Sequence, residues 1–289
     1  MMPELPEVET IISTLCRGDA KTPSVIGLPI QSVRVFWSKT INMSDVASFQ
    51  QALIGNWIIN GLRRGKFIHF ALDKGHLLIH LRMSGDLHLT KAFDEKGNPR
   101  QPANHDRVQI NFTNDWNLVF NDPRKFGRMW FTHNPQCVYV KLGPEPLDTT
   151  LTTQDFFERL TSHKRQLKPL LLDQSFLAGL GNIYTDEALH RAKLHPLRSS
   201  NTISEEEAGQ LLVAIRNVLQ EGIQRNGASI DWVYRGGDFQ NYFCVYQRTG
   251  EACPVCGTTI ERIMVGQRGT HLCPQCQKIN GPLMQSKKG

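Results

Sequence analysis

The first residues of the chain combine an early proline with several carboxylates. Their order is Met1-Met2-Pro3-Glu4-Leu5-Pro6-Glu7-Val8-Glu9. If both methionines are removed, the Pro3 nitrogen becomes a free secondary amine, which can attack an electrophilic carbon and form an iminium ion. An α-amine titrates near about 7.7–8.0, so a usable fraction is neutral at physiological pH. Glu4 lies beside it in sequence and could move protons. An ordinary terminus ahead of a helix fits this stretch equally well.

Four of the seven cysteines form two C-x-x-C pairs, Cys253 with Cys256 and Cys273 with Cys276. The gap between the pairs is 273 − 256 − 1 = 16 residues. This spacing is typical of a structural Zn²⁺ site, and an odd number of cysteines argues against a disulfide scaffold. Four thiolates complete a tetrahedron, so we expect one zinc ion that holds a small β-hairpin and takes no part in catalysis.

Three further segments suit contacts with phosphate groups. Arg268 lies in Gly-Gln-Arg-Gly, at the expected tip of the zinc hairpin. Asn182 follows a glycine-rich loop at the start of a helix predicted from Thr185 to Arg191, where free N–H groups favour an anion. Lys66 belongs to the basic run Arg-Arg-Gly-Lys. Taken singly, a solvated arginine, a tight turn between helices and a solvated sheet edge explain these residues as well.

Another group contains the residue types that enter a base stack. A methionine, an arginine and a phenylalanine can wedge between bases and fill the hole left by a flipped nucleotide. These residues are Met83, Arg124 and Phe126. Each has an ordinary structural explanation when taken alone, and Met83 would usually fill a core.

The secondary structure predicted to position these groups differs between the first and second halves of the chain. A short helix is predicted after Pro6 and ends at Gly18, with its apolar residues at helical spacing. Strand signals then run from about Ile30 to Phe131, separated by turn signals at Asn60-Gly61, Asp73-Lys74-Gly75 and Asn114-Asp115. Many short strands behind one helix predict a β-sandwich or a flattened barrel.

The pattern becomes helical after the connector Leu-Gly-Pro-Glu-Pro-Leu at residues 142–147. Ser204 and Glu207 form a capping box before an apolar stripe at helical spacing, and Asn226-Gly227 ends that helix. The fold class predicted is therefore α+β, with strands first and helices second.

Composition limits the class of protein. The 289 residues suffice for two domains, and a net charge of +6 is consistent with a polyanionic partner. No apolar run is long enough to span a bilayer, and no cationic segment precedes an apolar one at the start. We therefore expect a cytoplasmic protein with no membrane partner.

Taken together, the motifs resemble one family, formamidopyrimidine-DNA glycosylase, within the Fpg/Nei group of base-excision repair enzymes. The resemblance spans nearly the whole chain. It rests on the start Pro3 to Glu9, Lys66, Met83-Ser84-Gly85, Asp122 to Gly127, the connector at 142–147, Gly179 to Tyr184 and the cysteine pairs. It implies an N-terminal β-sandwich domain with a leading helix, then a helix-two-turns-helix domain that carries a zinc finger. The implied partner is double-stranded DNA with an oxidised base, bound by a monomer.

The resemblance also implies roles for single residues. The Pro3 nitrogen would attack C1′ of a flipped damaged nucleotide, and the abasic site would then undergo β- and δ-elimination. Glu4 would donate the proton for base release, Lys66 the proton for β-elimination and Arg268 the proton for δ-elimination. Asn182 and Arg268 would hold flanking phosphates. The remaining implied DNA contacts are His105, Lys164, Met83, Arg124 and Phe126.

The expected domains follow from the same motifs. They are a catalytic β-sandwich domain at 1–135, a linker at 136–148, a helix-two-turns-helix domain at 149–242, a zinc finger at 243–280 and a tail at 281–289. The helical domain would include a lesion-binding loop from Ser229 to Tyr242. Its glycines and aromatics, with Leu5 after Glu4, favour the purine branch and therefore 8-oxoguanine and formamidopyrimidine substrates.

Two alternatives stay open at the sequence level. One is an endonuclease VIII-like glycosylase for oxidised pyrimidines. The other is a non-catalytic DNA-binding homologue, which would follow if Pro3 is not the mature N-terminus. The family has a single methionine before its proline, whereas this chain has two. We expect Met2 to be the true translation start.

Overall fold

A computed structural model of the chain describes residues 2–229 and 236–279, which fall into two units. The sandwich unit takes the chain up to Val140, and the finger unit takes Lys141–Ala228 and Gly237 onward. Met1, residues 230–235 of the predicted lesion loop and the predicted tail at 281–289 lie outside the described residues. Within the described ranges, no helix is long and apolar enough to cross a bilayer.

The sandwich unit begins with a helix and continues mainly as strands. Its elements are α1 (Leu5–Arg17), β1 (Ile30–Val35), a 3₁₀ turn (Ser38–Thr40), α2 (Val46–Leu53), β2 (Ile58–Arg64), β3 (Phe67–Leu72), β4 (Gly75–His80), β5 (Asp86–Lys91), β6 (Asp106–Phe112), β7 (Trp116–Asn121), β8 (Arg128–Thr132) and α3 (Gln136–Tyr139). Helix α1 has its proline in the first turn, where no helical N–H is needed, and Gly18 with a φ of 70° as its C-cap.

The strands form two antiparallel four-stranded sheets, in the orders β1-β6-β7-β5 and β2-β3-β4-β8. Both sheets and α1 contribute to one apolar core, with Ile12 from the helix, Ile79 from one sheet and Phe120 from the other. Of the two architectures that the strand pattern allowed, the sandwich is therefore correct. Tight turns connect β2 to β3, β3 to β4 and β6 to β7, because each of these pairs is antiparallel and adjacent in its sheet.

Two of the three predicted turns are present, and one prediction is wrong. Asp73 and Lys74 connect β3 to β4, and the Asn114-Asp115 turn connects β6 to β7. Asn60-Gly61 lies inside β2, where the pairing with β3 shifts register between Ile58 and Asn60. A bulge in a strand favours the same residue types as a hairpin turn, which explains the error.

The finger unit begins with helices and ends in a small hairpin. Its elements are α4 (Thr153–Thr161), α5 (Leu167–Leu171), α6 (Asn182–Arg191), a 3₁₀ turn (Ser200–Thr202), α7 (Glu205–Gln224), a 3₁₀ turn (Phe239–Tyr242), β9 (Glu261–Val265) and β10 (Arg268–Leu272). The predicted capping box is formed, since the Glu207 carboxylate accepts the Ser204 N–H at 2.9 Å and the Ser204 hydroxyl accepts the Glu207 N–H at 3.2 Å. Helix α6 begins at Asn182, three residues before its predicted start at Thr185.

Candidate functional site

The proline and carboxylate at the start of the chain lie at the N-terminus of α1. Pro3 and Glu4 are buried, and Glu4 is the N-cap residue with an extended backbone. Glu7 reaches back from the third helical position, and its carboxylate accepts the Glu4 N–H at 2.9 Å. These contacts fix the direction in which the chain enters α1, so the Pro3 nitrogen has a defined position against the sandwich unit.

Helix α1 packs unusually close to β2. A Cβ atom at Gly61 would lie 2.2 Å from the Cys16 sulfur and 2.9 Å from Cδ1 of Ile12. Only glycine leaves room for this approach, which explains the residue that sequence reasoning took for a turn. An ion pair between Arg63 Nε and Glu9 Oε2 at 2.8 Å fastens the same helix to the same strand. The strand that leads to Lys66 is thereby tied to the helix that begins after Pro3.

Lys66 lies in the two-residue turn between β2 and β3, where Arg64 pairs with Phe67. Gly65 has a φ of 56°, which suits the first central position of a II′ turn. The Arg63 guanidinium donates to the Gly65 carbonyl at 3.2 Å and so supports the turn. Lys66 itself is only 3% exposed. Burial, together with the charges of Arg82 and Lys66, lowers the pKa of His80 to about 3, so this ring is neutral at physiological pH.

Asp122 joins two loops of the sandwich unit that carry predicted DNA contacts. It is 1% exposed and accepts a hydrogen bond from the Ser84 hydroxyl, next to Met83. The same carboxylate accepts the N–H groups of Arg124 at 3.2 Å and Gly127 at 2.7 Å. The structure therefore brings the Met83 loop and the 124–127 loop together, as a set of base-stack residues would require.

The side chains that these loops present differ in exposure. Met83 is half-buried, whereas Arg124 is exposed and Phe126 is 48% exposed. The Arg124 guanidinium lies 5.1 Å from the centre of the Phe126 ring, which is within cation–π range. His105 is exposed and has a positive φ of 75°. Its backbone carbonyl accepts the Asp122 N–H at 2.9 Å, so the His105 segment belongs to the same assembly.

Sequence reasoning missed the residues that hold this assembly. Arg107 Nε donates to the Asp122 carbonyl at 2.7 Å, and its Nη2 lies 3.2 Å from the His105 ring. In the sequence, Ser84 and Asp122 stand out only as members of the family motifs. An aspartate directly before a proline, in a turn that ends at Gly127, was the available signal, because such a carboxylate can accept hydrogen bonds from the N–H groups that follow it.

The four predicted zinc ligands converge in the finger unit. The sulfur atoms of Cys253, Cys256, Cys273 and Cys276 all lie within 4.8 Å of one another. Four soft sulfur donors at this separation fit a tetrahedral Zn²⁺ ion with no coordination position left over. Strands β9 and β10 lie between the two pairs and form the predicted hairpin. The ion when bound supplies folding energy to this small segment and no chemistry.

Arg268 begins β10, directly after the hairpin turn. The turn residues Gly266 and Gln267 both have positive φ angles, 55° and 62°, which is the geometry of a type I′ turn. Arg268 is exposed at this tip. Asn182 is the first residue of α6, and its Nδ2 donates to the Gly269 carbonyl at 3.1 Å. The structure thus brings Asn182 next to Arg268, whereas Lys164 is exposed in the segment between α4 and α5.

Comparisons with known proteins identify this arrangement. Three family models match: the formamidopyrimidine-DNA glycosylase N-terminal domain over residues 2–129, the H2TH domain of the same enzymes over 142–233, and the zinc finger found in FPG and IleRS over 250–279. The chain is 42% identical over 286 residues to formamidopyrimidine-DNA glycosylase of Protochlamydia amoebophila, covering 96% of this chain and 100% of the relative. The chain belongs to the formamidopyrimidine-DNA glycosylase family.

Other relatives and solved structures agree. Formamidopyrimidine-DNA glycosylase of Enterococcus faecalis is 40% identical over 97% of this chain and 99% of its own length. The structure of MutM with DNA containing carbocyclic 8-oxo-G has a TM-score of 0.85 and 36% identity, covering 96% of this chain and all of that one. The Lactococcus lactis Fpg complex with DNA containing N7-benzyl-Fapy-dG has the same TM-score, identity and coverage.

Several predictions are confirmed by these findings. The family resemblance, the α+β fold with its sandwich, H2TH and zinc-finger parts, and the requirement for one structural zinc ion are correct. The predicted DNA partner is also confirmed. The predicted class of enzyme, a base-excision repair glycosylase for oxidised purines with lyase activity at abasic sites, is confirmed as well. The domain boundaries and the roles of individual site residues stay predictions.

Proposed function

We propose that this family member excises 8-oxoguanine and formamidopyrimidines from duplex DNA with Pro3 as the nucleophile. The observation that carries the proposal is the Pro3-Glu4 pair, buried at the start of a helix that is fastened to the strand leading to Lys66. Support for the substrate comes from similar proteins solved with DNA containing carbocyclic 8-oxo-G and with DNA containing N7-benzyl-Fapy-dG. The reaction requires a free Pro3 nitrogen, and therefore a mature chain from which both methionines are absent.

In the first step, the neutral Pro3 nitrogen attacks C1′ of the flipped nucleotide. The bond between C1′ and the base breaks, and the departing base takes a proton from Glu4. The C1′–O4′ bond then breaks, O4′ takes up the proton that the proline nitrogen has given up, and an iminium ion forms between that nitrogen and C1′. A secondary amine reaches this cation directly, and the cation acts as an electron sink for the next steps.

In the second step, loss of a proton from C2′ breaks the C3′–O bond, and a further elimination breaks the C5′–O bond. Lys66 is assigned to the proton transfers of β-elimination, since a buried lysine changes protonation readily. Arg268 is assigned chiefly to binding the phosphate that leaves in δ-elimination. An arginine is effectively always protonated, so charge stabilisation is its more natural contribution.

The remaining residues hold the DNA. Asn182 and Arg268 bind phosphates that flank the lesion, supported by the hydrogen bond from Asn182 Nδ2 to the carbonyl of Gly269, the residue after Arg268. Lys164 and His105 add exposed contacts to the backbone. The loops joined by Asp122 present the three residues that fill the vacated stack, which are Met83, Arg124 and Phe126. We place this activity in the bacterial cytoplasm, on nucleoid DNA, because the relatives are bacterial.

Cleavage of defined duplexes tests the proposal. The purified chain is incubated with 8-oxoguanine opposite cytosine, with thymine glycol and with an undamaged control. Borohydride is added in parallel, because it traps only an iminium intermediate. We expect cleavage and trapping with 8-oxoguanine far above those with thymine glycol. Preferred cleavage of thymine glycol would contradict the substrate, and cleavage of 8-oxoguanine without trapping would contradict the nucleophile.

A further inference from the structure

A fully buried ion pair in the finger unit has no role in the chemistry described above. Lys168 of α5 and Asp186 of α6 are both 0% exposed, with 2.6 Å between Nζ and Oδ1. Taking two charges out of water costs several kcal/mol per ion, and apolar residues of similar volume are often at least as stabilising. Packing stability alone therefore does not account for charged residues at these two positions.

Both members of the pair also bind the zinc hairpin. Lys168 Nζ donates to the Gly269 carbonyl at 3.1 Å. Asp186 Oδ2 accepts the His271 N–H at 2.9 Å and lies 3.3 Å from its ring Nδ1. The ion pair is thus hydrogen-bonded to strand β10 at two alternate residues, Gly269 and His271, which closely follow Arg268.

Asn182 converges on the same point. Its Nδ2 donates to the Gly269 carbonyl at 3.1 Å, so this oxygen accepts from both Asn182 and Lys168. An amide NH₂ group has two donors, and within the described residues Asn182 Nδ2 uses one of them, on the Gly269 carbonyl. The Gly269 carbonyl, one residue after Arg268, is therefore held by two donors. One is Asn182, the predicted phosphate ligand at the start of α6, and the other is the buried Lys168.

We propose that Lys168 and Asp186 are positioning residues, which hold Arg268 and Asn182 in one fixed phosphate-binding geometry. The zinc ion holds the hairpin together, and the ion pair sets where the hairpin lies on α5 and α6. A carboxylate and an ammonium act through directional hydrogen bonds, which an apolar pair cannot replace. This inference rests on the proposed function, because it assigns the geometry to DNA binding.

The test compares an apolar replacement of the whole pair with the parent chain. Lys168→Met alone leaves a buried unpaired carboxylate and is expected to destabilise the fold. The double variant Lys168→Met/Asp186→Leu removes both charges and is expected to keep its zinc and to melt at a higher temperature than Lys168→Met, although the His271 N–H and the Gly269 carbonyl each lose a partner. Affinity is measured on a duplex with an uncleavable abasic-site analogue, so chemistry does not enter. We expect about tenfold weaker binding for the double variant.

Adding Arg268→Ala separates positioning from a general structural role. If the pair acts through Arg268, this substitution weakens binding in the parent but has little further effect in the double variant. Lys193→Met, which removes an exposed charge of the same unit, serves as the control and should bind like the parent. If the double variant is folded and zinc-loaded and binds the duplex as tightly as the parent does, the inference is overturned. A parent that binds this duplex but forms no borohydride adduct with the 8-oxoguanine duplex would instead overturn the proposed function.

Discussion

In the sandwich unit, the candidate groups near Pro3 are held by close packing, with Gly61 allowing α1 to lie against β2. In the finger unit, the candidate groups at Arg268 and Asn182 are held by a metal site and a buried ion pair. The difference follows from size, because a large shared core can fix a helix by shape, whereas a short hairpin cannot. The zinc hairpin therefore depends on a few strong directional contacts. Each of these contacts can be removed separately, by chelation of the metal or by substitution.

The largest effect should follow removal of zinc. A structural zinc ion contributes about 10–16 kcal/mol to small finger segments, so chelation should unfold the hairpin that carries Arg268. DNA binding should fall by at least about a hundredfold, while the thermal transition of the sandwich unit persists. The measurement is DNA affinity and calorimetry before and after chelator, with readdition of Zn²⁺ as the control. Unchanged binding in metal-free protein would show that the finger's role is misassigned.

Asp122→Ala should have the next largest effect, and in the other unit. It leaves the buried N–H of Gly127 without its carboxylate and removes the acceptor of the Ser84 hydroxyl, which costs roughly 2–4 kcal/mol in total. Both loops with stack-filling residues should loosen, and excision from duplex DNA should slow. Asp122→Asn keeps one acceptor and should be milder. Denaturant unfolding and single-turnover excision measure the two effects, and equal values for both variants would argue against this account.

Gly61→Ala tests positioning by shape. The added methyl group would meet the Cys16 sulfur, and overpacking of this kind costs about 1–3 kcal/mol. A small displacement of α1 can lower the rate of reaction about a hundredfold if Pro3 and Glu4 act as proposed. Removing the sulfur with Cys16→Ala should restore part of the stability and part of the reaction rate. The restoration should be incomplete because Cδ1 of Ile12 also lies close to the added methyl group. A Gly61→Ala chain with the parent's stability and trapping rate would refute the packing argument.

The smallest effect, when it is taken per pH unit, is on the pH dependence of stability. Burial lowers the pKa of His80 to about 3, and burial with the nearby His76 lowers that of His69 to about 4. Below about pH 6.5 the unfolded chain binds these protons and the folded chain does not, so stability falls with falling pH. For each of these histidines, the free energy of unfolding changes by at most about 1.4 kcal/mol per pH unit. His80→Asn should flatten the profile between pH 4 and 6.5, whereas substitution of the exposed His133 should leave it unchanged.

Local signals in the sequence revealed the zinc ligands, the sandwich strands and the capped helices. The proline and the cysteine spacing are chemical patterns that need no tertiary information. Asn60-Gly61 was misread because the glycine is required by the close approach of Cys16, more than forty residues earlier in the chain. Lys168 and Gly269 are 101 residues apart, and no local pattern links them. What the sequence could not supply was the set of long-range contacts that fix each candidate group.

The central claim is that the Pro3 nitrogen forms the covalent intermediate, and peptide mapping of the borohydride-trapped adduct tests it most directly. The protein trapped on 8-oxoguanine duplex is digested, and the modified peptide is sequenced by mass spectrometry. We predict a single modified peptide that begins at Pro3 and carries the sugar on its α-nitrogen. An adduct on a lysine, or on a peptide that still begins with a methionine, would contradict the account.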